Sequence, residues 1–274
     1  MTTLASVPPA DRTAGPPARF RDLLAAEWIK TRSLRSTPWT LALTALFVLG
    51  SAAVATLTDH AAGSGPADFR PFDAYPQAGA WTLMLVAGSA GALTVVSEYS
   101  SGLIRTTTVA VPARGSVVLA KAAVVTALWT AVGAAVATGS FLVSQAVLYG
   151  RHAGVPLTHP GVLRALVASA LLAPVCALVG LGLGVLLRHA AATMVTSVFI
   201  MLMAPTMFSD GARWSADIKH ATVSAAWRRL IENWEPDPTS LGYSATVPGS
   251  WTVYVLWPLV SVALAVLVVR RRDV

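Results

Sequence analysis

Glu98 heads the most chemically equipped stretch of the chain, Ser97-Glu98-Tyr99-Ser100-Ser101-Gly102-Leu103-Ile104-Arg105-Thr106-Thr107-Thr108. A carboxylate, a guanidinium and a row of hydroxyls within a dozen residues are suited to ion pairs and hydrogen bonds with another surface. Catalytic sets do not assemble. There is no His-Glu-x-x-His, no Gly-x-Ser-x-Gly, no pair of acids within an apolar run, and no Gly-x-x-x-x-Gly-Lys-Ser/Thr to cradle a nucleotide. The histidines at 60, 152, 159, 189 and 220 scatter over loops, and His152 and His159 have no third ligand nearby, so they read as surface residues rather than a metal site. A lone Cys176 excludes an intramolecular disulfide and a thiolate metal cluster. Neither catalysis nor a metal or cofactor in this chain is expected.

The elements that hold the Glu98 stretch are set by composition. Of 274 residues, 55% are hydrophobic and 12% charged, against about 25% charged in soluble domains, and the mean hydropathy is +0.63. An all-α integral membrane protein is expected, because helices satisfy their own backbone groups in lipid. The net charge of +7 sorts by membrane side, so no nucleic-acid partner is expected.

Residues 1–19 are rich in Pro, Ala and Thr and read as a disordered cytoplasmic tail, with no signal-peptide core after Met1. Residues 20–36 read as an interfacial amphipathic helix, with Leu23, Leu24, Trp28 and Leu34 on one arc. Glu27 intrudes on that arc and Ile29 falls outside it; a basic flank that only orients the first span is the alternative. Residues 37–274 form a six-helix transmembrane domain. Its spans are Trp39–Thr58, Gly79–Ser97, a third from about Val117 to Tyr149, Val162–Leu187, Ala190–Phe208 and Trp251–Val269. The third holds 28 uncharged residues, a rise of about 42 Å, so it tilts or leaves the bilayer. No ionisable side chain is expected deep in any span, and Arg164 is expected to snorkel to the interface.

Small residues recur at four-residue spacing in Gly88/Ala92, Gly133/Ala137 and Gly180/Gly184, which favours close helix approach. Pro174, Pro205 and Pro258 are expected to kink their spans. The first outer loop, 59–78, reads as irregular. Ser215 to Asn233 reads as one helix, and Trp214, Trp227, Trp234 and Trp251 as an interfacial belt, so the third outer loop lies along the outer leaflet or dips into it. With both termini cytoplasmic, 13 Lys and Arg fall inside and 7 outside, which places the Glu98 loop inside as well. Leu103 to Val111 reads as a short helix capped by Ser100 or Ser101, its apolar face suited to a partner groove. Glu98 is placed to anchor the end of the second span or the helix before the first.

Three motifs carry a resemblance. Glu27-Trp28-Ile29-Lys30-Thr31-Arg32-Ser33 resembles the amphipathic helix that precedes the first span in ABC transporter permeases of the ABC-2 class. Ser97 to Thr107, with Pro112-Ala113-Arg114-Gly115 and Lys121, is similar to that family's loop between spans two and three. Arg270-Arg271-Arg272-Asp273 resembles the ending of actinobacterial-type members. The resemblance covers residues from about 20 to 274. It implies the permease half of an exporter in the cytoplasmic membrane. Such a half pairs with a second copy or paralogue, contacts membrane lipid, and docks on separate ATP-binding subunits that hold the ATP and Mg. Coupling to those subunits is implied for Glu27, Lys30, Glu98, Ser101, Gly102, Leu103, Ile104, Arg105 and Arg188, and an amphipathic substrate is expected to leave outward. A non-transporting scaffold or sensor (an immunity subunit, for example) is the alternative. A secondary carrier is third, since it lacks the intramembrane charges such carriers use.

Overall fold

The structure, a computed structural model, describes residues 19–33, 35–58, 71–102, 114–233 and 242–271. Every regular element among them is helical. In chain order these are α1 (Phe20–Ser33), α2 (Ser36–Thr58), α3 (Pro71–Ala74), α4 (Gln77–Ser100), α5 (Arg114–Gly150), α6 (Val162–Leu187), α7 (Ala190–Val198), α8 (Arg213–His220), α9 (Val223–Ile231) and α10 (Val247–Arg271). Six stretches are long and apolar enough to cross a membrane: α2, α4, α5, α6, the composite Ala190–Met207 and α10. The chain is therefore a multi-pass membrane protein.

Helix α6 is apolar on all sides, and it lies at the centre, packed by α4, α5, α7, α9 and α10. Small residues allow this. A Cβ on Gly180 would lie 1.9 Å from the Gly88 carbonyl oxygen, and one on Gly91 1.9 Å from that of Ala177. On the other side of α6, a Cβ on Gly133 would lie 2.1 Å from the Ala170 carbonyl oxygen. The backbones of α4 and α5 thus touch α6 directly, at the small-residue pairs read from the sequence. The outer helices α2 and α10 and the composite Ala190–Met207 turn most of their apolar surface outward, as Leu43, Leu46 and Phe47 on α2 do.

Several expectations change in detail. Helix α5 spans 37 residues, about 55 Å, so its charged first turns extend well past the apolar part. The fifth span is not uniform: a π turn at Phe199–Met203 and a 3₁₀ turn at Ala204–Met207 follow α7, and the change to 3₁₀ falls at Pro205, which offers no N–H to continue the α ladder. Pro174 and Pro258 lie inside α6 and α10, which run on past them. The loop before α4 contains the short α3, and α4 begins at Gln77 rather than Gly79. The stretch from 215 to 233 is two helices, not one. Thr222 breaks it, donating from Oγ1 to the Lys219 carbonyl (2.6 Å) and accepting from the Ala225 N–H (3.4 Å) to cap α9. Helix α9 does not lie along the surface. Its Val223, Ala226, Trp227, Leu230 and Ile231 are buried against α6 and α10.

Trp227 accordingly leaves the expected interfacial belt. It is 3% exposed, and its Nε1 donates to Ser169 Oγ at 3.2 Å, whereas Trp214 is largely exposed. Leu34, the 1–18 stretch and Trp234 lie outside the described residues.

Candidate functional site

At one end of the bundle four charged side chains close a ring. Lys121 Nζ donates to Glu27 Oε2 at 2.6 Å and to Glu98 Oε1 at 3.0 Å. Lys30 Nζ donates to Glu27 Oε1 and to Glu98 Oε1, both at 2.9 Å. Acids and lysines alternate, so the set is neutral. The side chains of Lys121, Glu27 and Glu98 are 6%, 8% and 10% exposed, while that of Lys30 is 47% exposed and opens the ring to the outside.

Each corner is set by its helix. Glu27 and Lys30 sit one turn apart on α1 and so share a face. Glu98 lies in the last turn of α4, and Lys121 two turns into α5. Glu27 is thus the inward residue of α1, whereas Trp28 and Ile29 are exposed and Leu23 and Leu24 half-buried. The intruder on the expected apolar arc is the residue that docks the helix. Burial alone raises the Glu27 carboxyl, but Lys121 and then Lys30 outweigh it and hold it below its ordinary value. Burial likewise pulls the Lys30 ammonium down, and its hydrogen bonds to Glu27 and Glu98 outweigh that and raise it.

Lys121 lies near the charged start of α5 rather than deep in the span, and it is among the most buried charges of the described residues. Its partners are not apparent from the sequence. A signal was present: a lone cation one residue before a long uncharged run must find a carboxylate or leave the apolar phase.

The neighbouring helix ends converge on the same side. Arg188 ends α6 in a left-handed conformation (φ 55°), its N–H donating to the Gly184 carbonyl. Its guanidinium lies 4.9 Å from the centre of the Tyr99 ring, a cation–π contact next to Glu98 in sequence. Its Nε and Nη2 have no hydrogen-bond partner among the described residues. The Arg270 guanidinium lies over Gly115, where a Cβ would come within 2.8 Å of Nε. Ser100 and Ser101 donate their hydroxyls back to the Ser97 carbonyl, at 3.1 and 2.7 Å, so both close α4 instead of reaching forward. Gly102, exposed and at φ 72°, turns the chain out of α4.

Of the sequence-named residues, Glu27, Lys30 and Glu98 therefore meet directly. Arg188 joins the end of α4 through Tyr99, and Ser101 and Gly102 stand exposed at the mouth of the connection to α5. Leu103, Ile104 and Arg105, with the expected short helix to Val111, lie outside the described residues.

At the opposite end arginines close other helices. Arg151 donates from Nη1 to the Thr56 carbonyl and from Nη2 to the Leu57 carbonyl, both at 3.1 Å, which finishes α2. Arg164, near the start of α6, donates to the carbonyls of Leu230 (3.0 Å, from Nε) and Glu232 and so finishes α9. No group of three or more metal-ligating side chains gathers among the described residues. Compared with known proteins, the chain matches no family model and no curated protein.

Proposed function

We propose that this chain is the membrane-spanning subunit of an ATP-driven exporter of the ABC-2 type, moving an amphipathic substrate out of the cytoplasmic membrane. In this reading the charge-ring end faces the cytoplasm, as do both termini. A separate ATP-binding subunit, which carries ATP and Mg, docks there. The chain itself does no catalysis and works as a pair with a second copy or a paralogue.

One observation carries the reading. The ring ties α1, which lies outside the apolar spans, to the two helices that flank the 101–113 connection. A push on that connection from a docked subunit then moves α1, α4 and α5 together instead of being lost in separate side-chain motions. Directional, partly buried ion pairs resist such shear better than apolar contacts, because a small displacement leaves a charge unpaired. Glu98, Glu27 and Lys121 act here as positioning residues; the docking contacts themselves belong to Ser101 through Arg105.

The test is purification of the chain from its native membrane. A subunit with a phosphate-binding loop should come with it, and Mg-dependent ATP hydrolysis should follow that subunit and vanish when it is removed. With the pair in hand, Arg105→Ala should abolish transport while leaving hydrolysis, and Leu103→Ala should weaken association by about 1–3 kcal/mol if Leu103 is an anchor. A chain that hydrolyses ATP alone overturns the proposal, and one that never associates with such a subunit overturns it in favour of the scaffold or sensor reading.

A further inference from the structure

A cavity of about 690 Å³ opens at the end opposite the charge ring, walled by the start of α4, the broken end of the fifth span, α8 and α9. That volume lies within the ~300–1,000 Å³ of small-molecule sites. We propose that it binds an anionic amphiphile, with the carboxylate or phosphate head on Arg229 and the chain along Trp81, Leu202 and Phe208. This site is independent of the ATP-driven reading.

The charges in the cavity do not cancel evenly. Asp210 is engaged by Lys219 and by His220, the latter at 3.1 Å. Glu232 faces Arg228 at 3.6 Å. Arg229 makes no direct ion pair among the described residues, although it stands close enough to Glu232 to act on its carboxyl. Its Nε donates to the Ala245 carbonyl at 2.8 Å, its Nη1 is buried without a hydrogen-bond partner, and no carboxylate lies within ion-pairing distance of it among the described residues. One donor of the guanidinium, Nη1, is thus without a partner among the described residues, and the paired oxygens of a carboxylate or phosphate suit such a group.

The rest of the wall is mainly apolar, which argues against a free inorganic anion. Leu202, Pro205 and Phe208 belong to or follow the π and 3₁₀ turns, a departure from α-geometry often found at binding sites. Met203 and Met207 on the same turns are 55% and 70% exposed, so this wall borders the lipid-facing surface, and a chain can enter from the bilayer side.

The experiment uses the full chain in phosphatidylcholine nanodiscs, with dodecanoate brominated in its chain as a quencher of tryptophan fluorescence. Saturable quenching is expected, displaced by dodecyl phosphate but by neither inorganic phosphate nor dodecyltrimethylammonium. Arg229→Gln should weaken binding at least about tenfold, the loss expected when a charge-assisted bond goes. Trp81→Phe should lower the quenching, with Trp227, which also lines the cavity, accounting for the rest. Ala225→Leu, which narrows the cavity and leaves Arg229 in place, should weaken binding severalfold, and it serves if Arg229→Gln fails to fold. Discs containing phosphatidylglycerol separate the two sources of ligand. If they suppress quenching, the occupant is an anionic bilayer lipid; if not, it is a single-chain amphiphile. Equal displacement by inorganic phosphate or by the cationic amphiphile, unchanged binding in Arg229→Gln, or unchanged quenching in Trp81→Phe overturns the proposal.

Discussion

Replacing Lys121 by Met keeps the volume of the side chain and removes the driest charge of the ring. Glu27 and Glu98 then share Lys30 alone, whose side chain is 47% exposed, and the set carries one unbalanced negative charge. Leaving a buried charge without its partner typically costs about 3–5 kcal/mol. A second route limits that cost, because Glu27, which loses a 2.6 Å partner, can take up a proton. From an ordinary glutamate value near 4.3, neutralising it at pH 7 costs about 3.7 kcal/mol, and at pH 5.5 about 1.6 kcal/mol. The variant should therefore lose roughly 3–4 kcal/mol at pH 7 and about half of that at pH 5.5. The sign follows from linkage: in the variant the folded-state Glu27 value is raised, so its folded form binds more protons and gains relative stability as pH falls. Adding Glu27→Gln should recover most of the loss, since Lys30 and Glu98 remain as a neutral pair at 2.9 Å. Equilibrium unfolding in mixed micelles, followed by tryptophan fluorescence at the two pH values, measures all three quantities. A loss below about 1 kcal/mol at pH 7, or one that does not shrink at pH 5.5, would refute a dry electrostatic ring.

The unmodified ring should itself give a stability plateau across neutral pH. The contribution of Glu27, held low, is present above the ordinary carboxylate range and is lost as pH falls through its lowered value; that of Lys30, held high, is present below its ordinary value and fades as pH rises through its raised one. A pH titration of the unfolding midpoint that sloped steadily through neutrality would contradict this. Gly180→Ala pushes a Cβ to 1.9 Å from the Gly88 carbonyl and should cost about 1–3 kcal/mol or more, whereas Gly50→Ala, with nothing within 4 Å, should be neutral or stabilising by up to about 1 kcal/mol. Trp227→Phe should cost about 0.5–1.5 kcal/mol, and Ser169→Ala in that background should add little, because the two share one hydrogen bond. Cysteines at the exposed Ser101 and Trp214 should react with an impermeant reagent from opposite sides of the membrane, the native Cys176 being buried; labelling from one side would break the six-span topology.

The spans were legible because nothing but charge-free runs of membrane length matches the bilayer. Even the centrality of α6 shows in its lack of a polar face, and the close seams in its Gly180/Gly184 pair. The ring was half legible. Glu27, Lys30 and Glu98 stood out by type and position, but their mutual contact needs α1 to fold back against α5, which no local pattern encodes. Lys121 was passed over because its partners lie 23 and 94 residues away. The break at Thr222 was missed for a similar reason: threonine is tolerated within helices, and only the burial of Trp227, Leu230 and Ile231 on α9 makes a separate, inward-tilted helix favourable. Glu98→Ala is a poor probe of coupling. Its carboxylate is buried between two lysines, so its removal disturbs the fold as well as any coupling, and Arg105 becomes the cleaner probe.

The glycine seams have a consequence for traffic. Where the carbonyl of Gly88 meets Gly180, and that of Ala170 meets Gly133, two backbones touch with no side chain between them. A joint of that kind cannot part by rotating a side chain aside, and anything threading it must separate whole helices. Along the seams that α6 makes with α4 and α5, a single chain is therefore a wall. If the chain is the exporter subunit proposed above, its cargo is expected to pass outside those two seams, where its other neighbour is lipid or another protein.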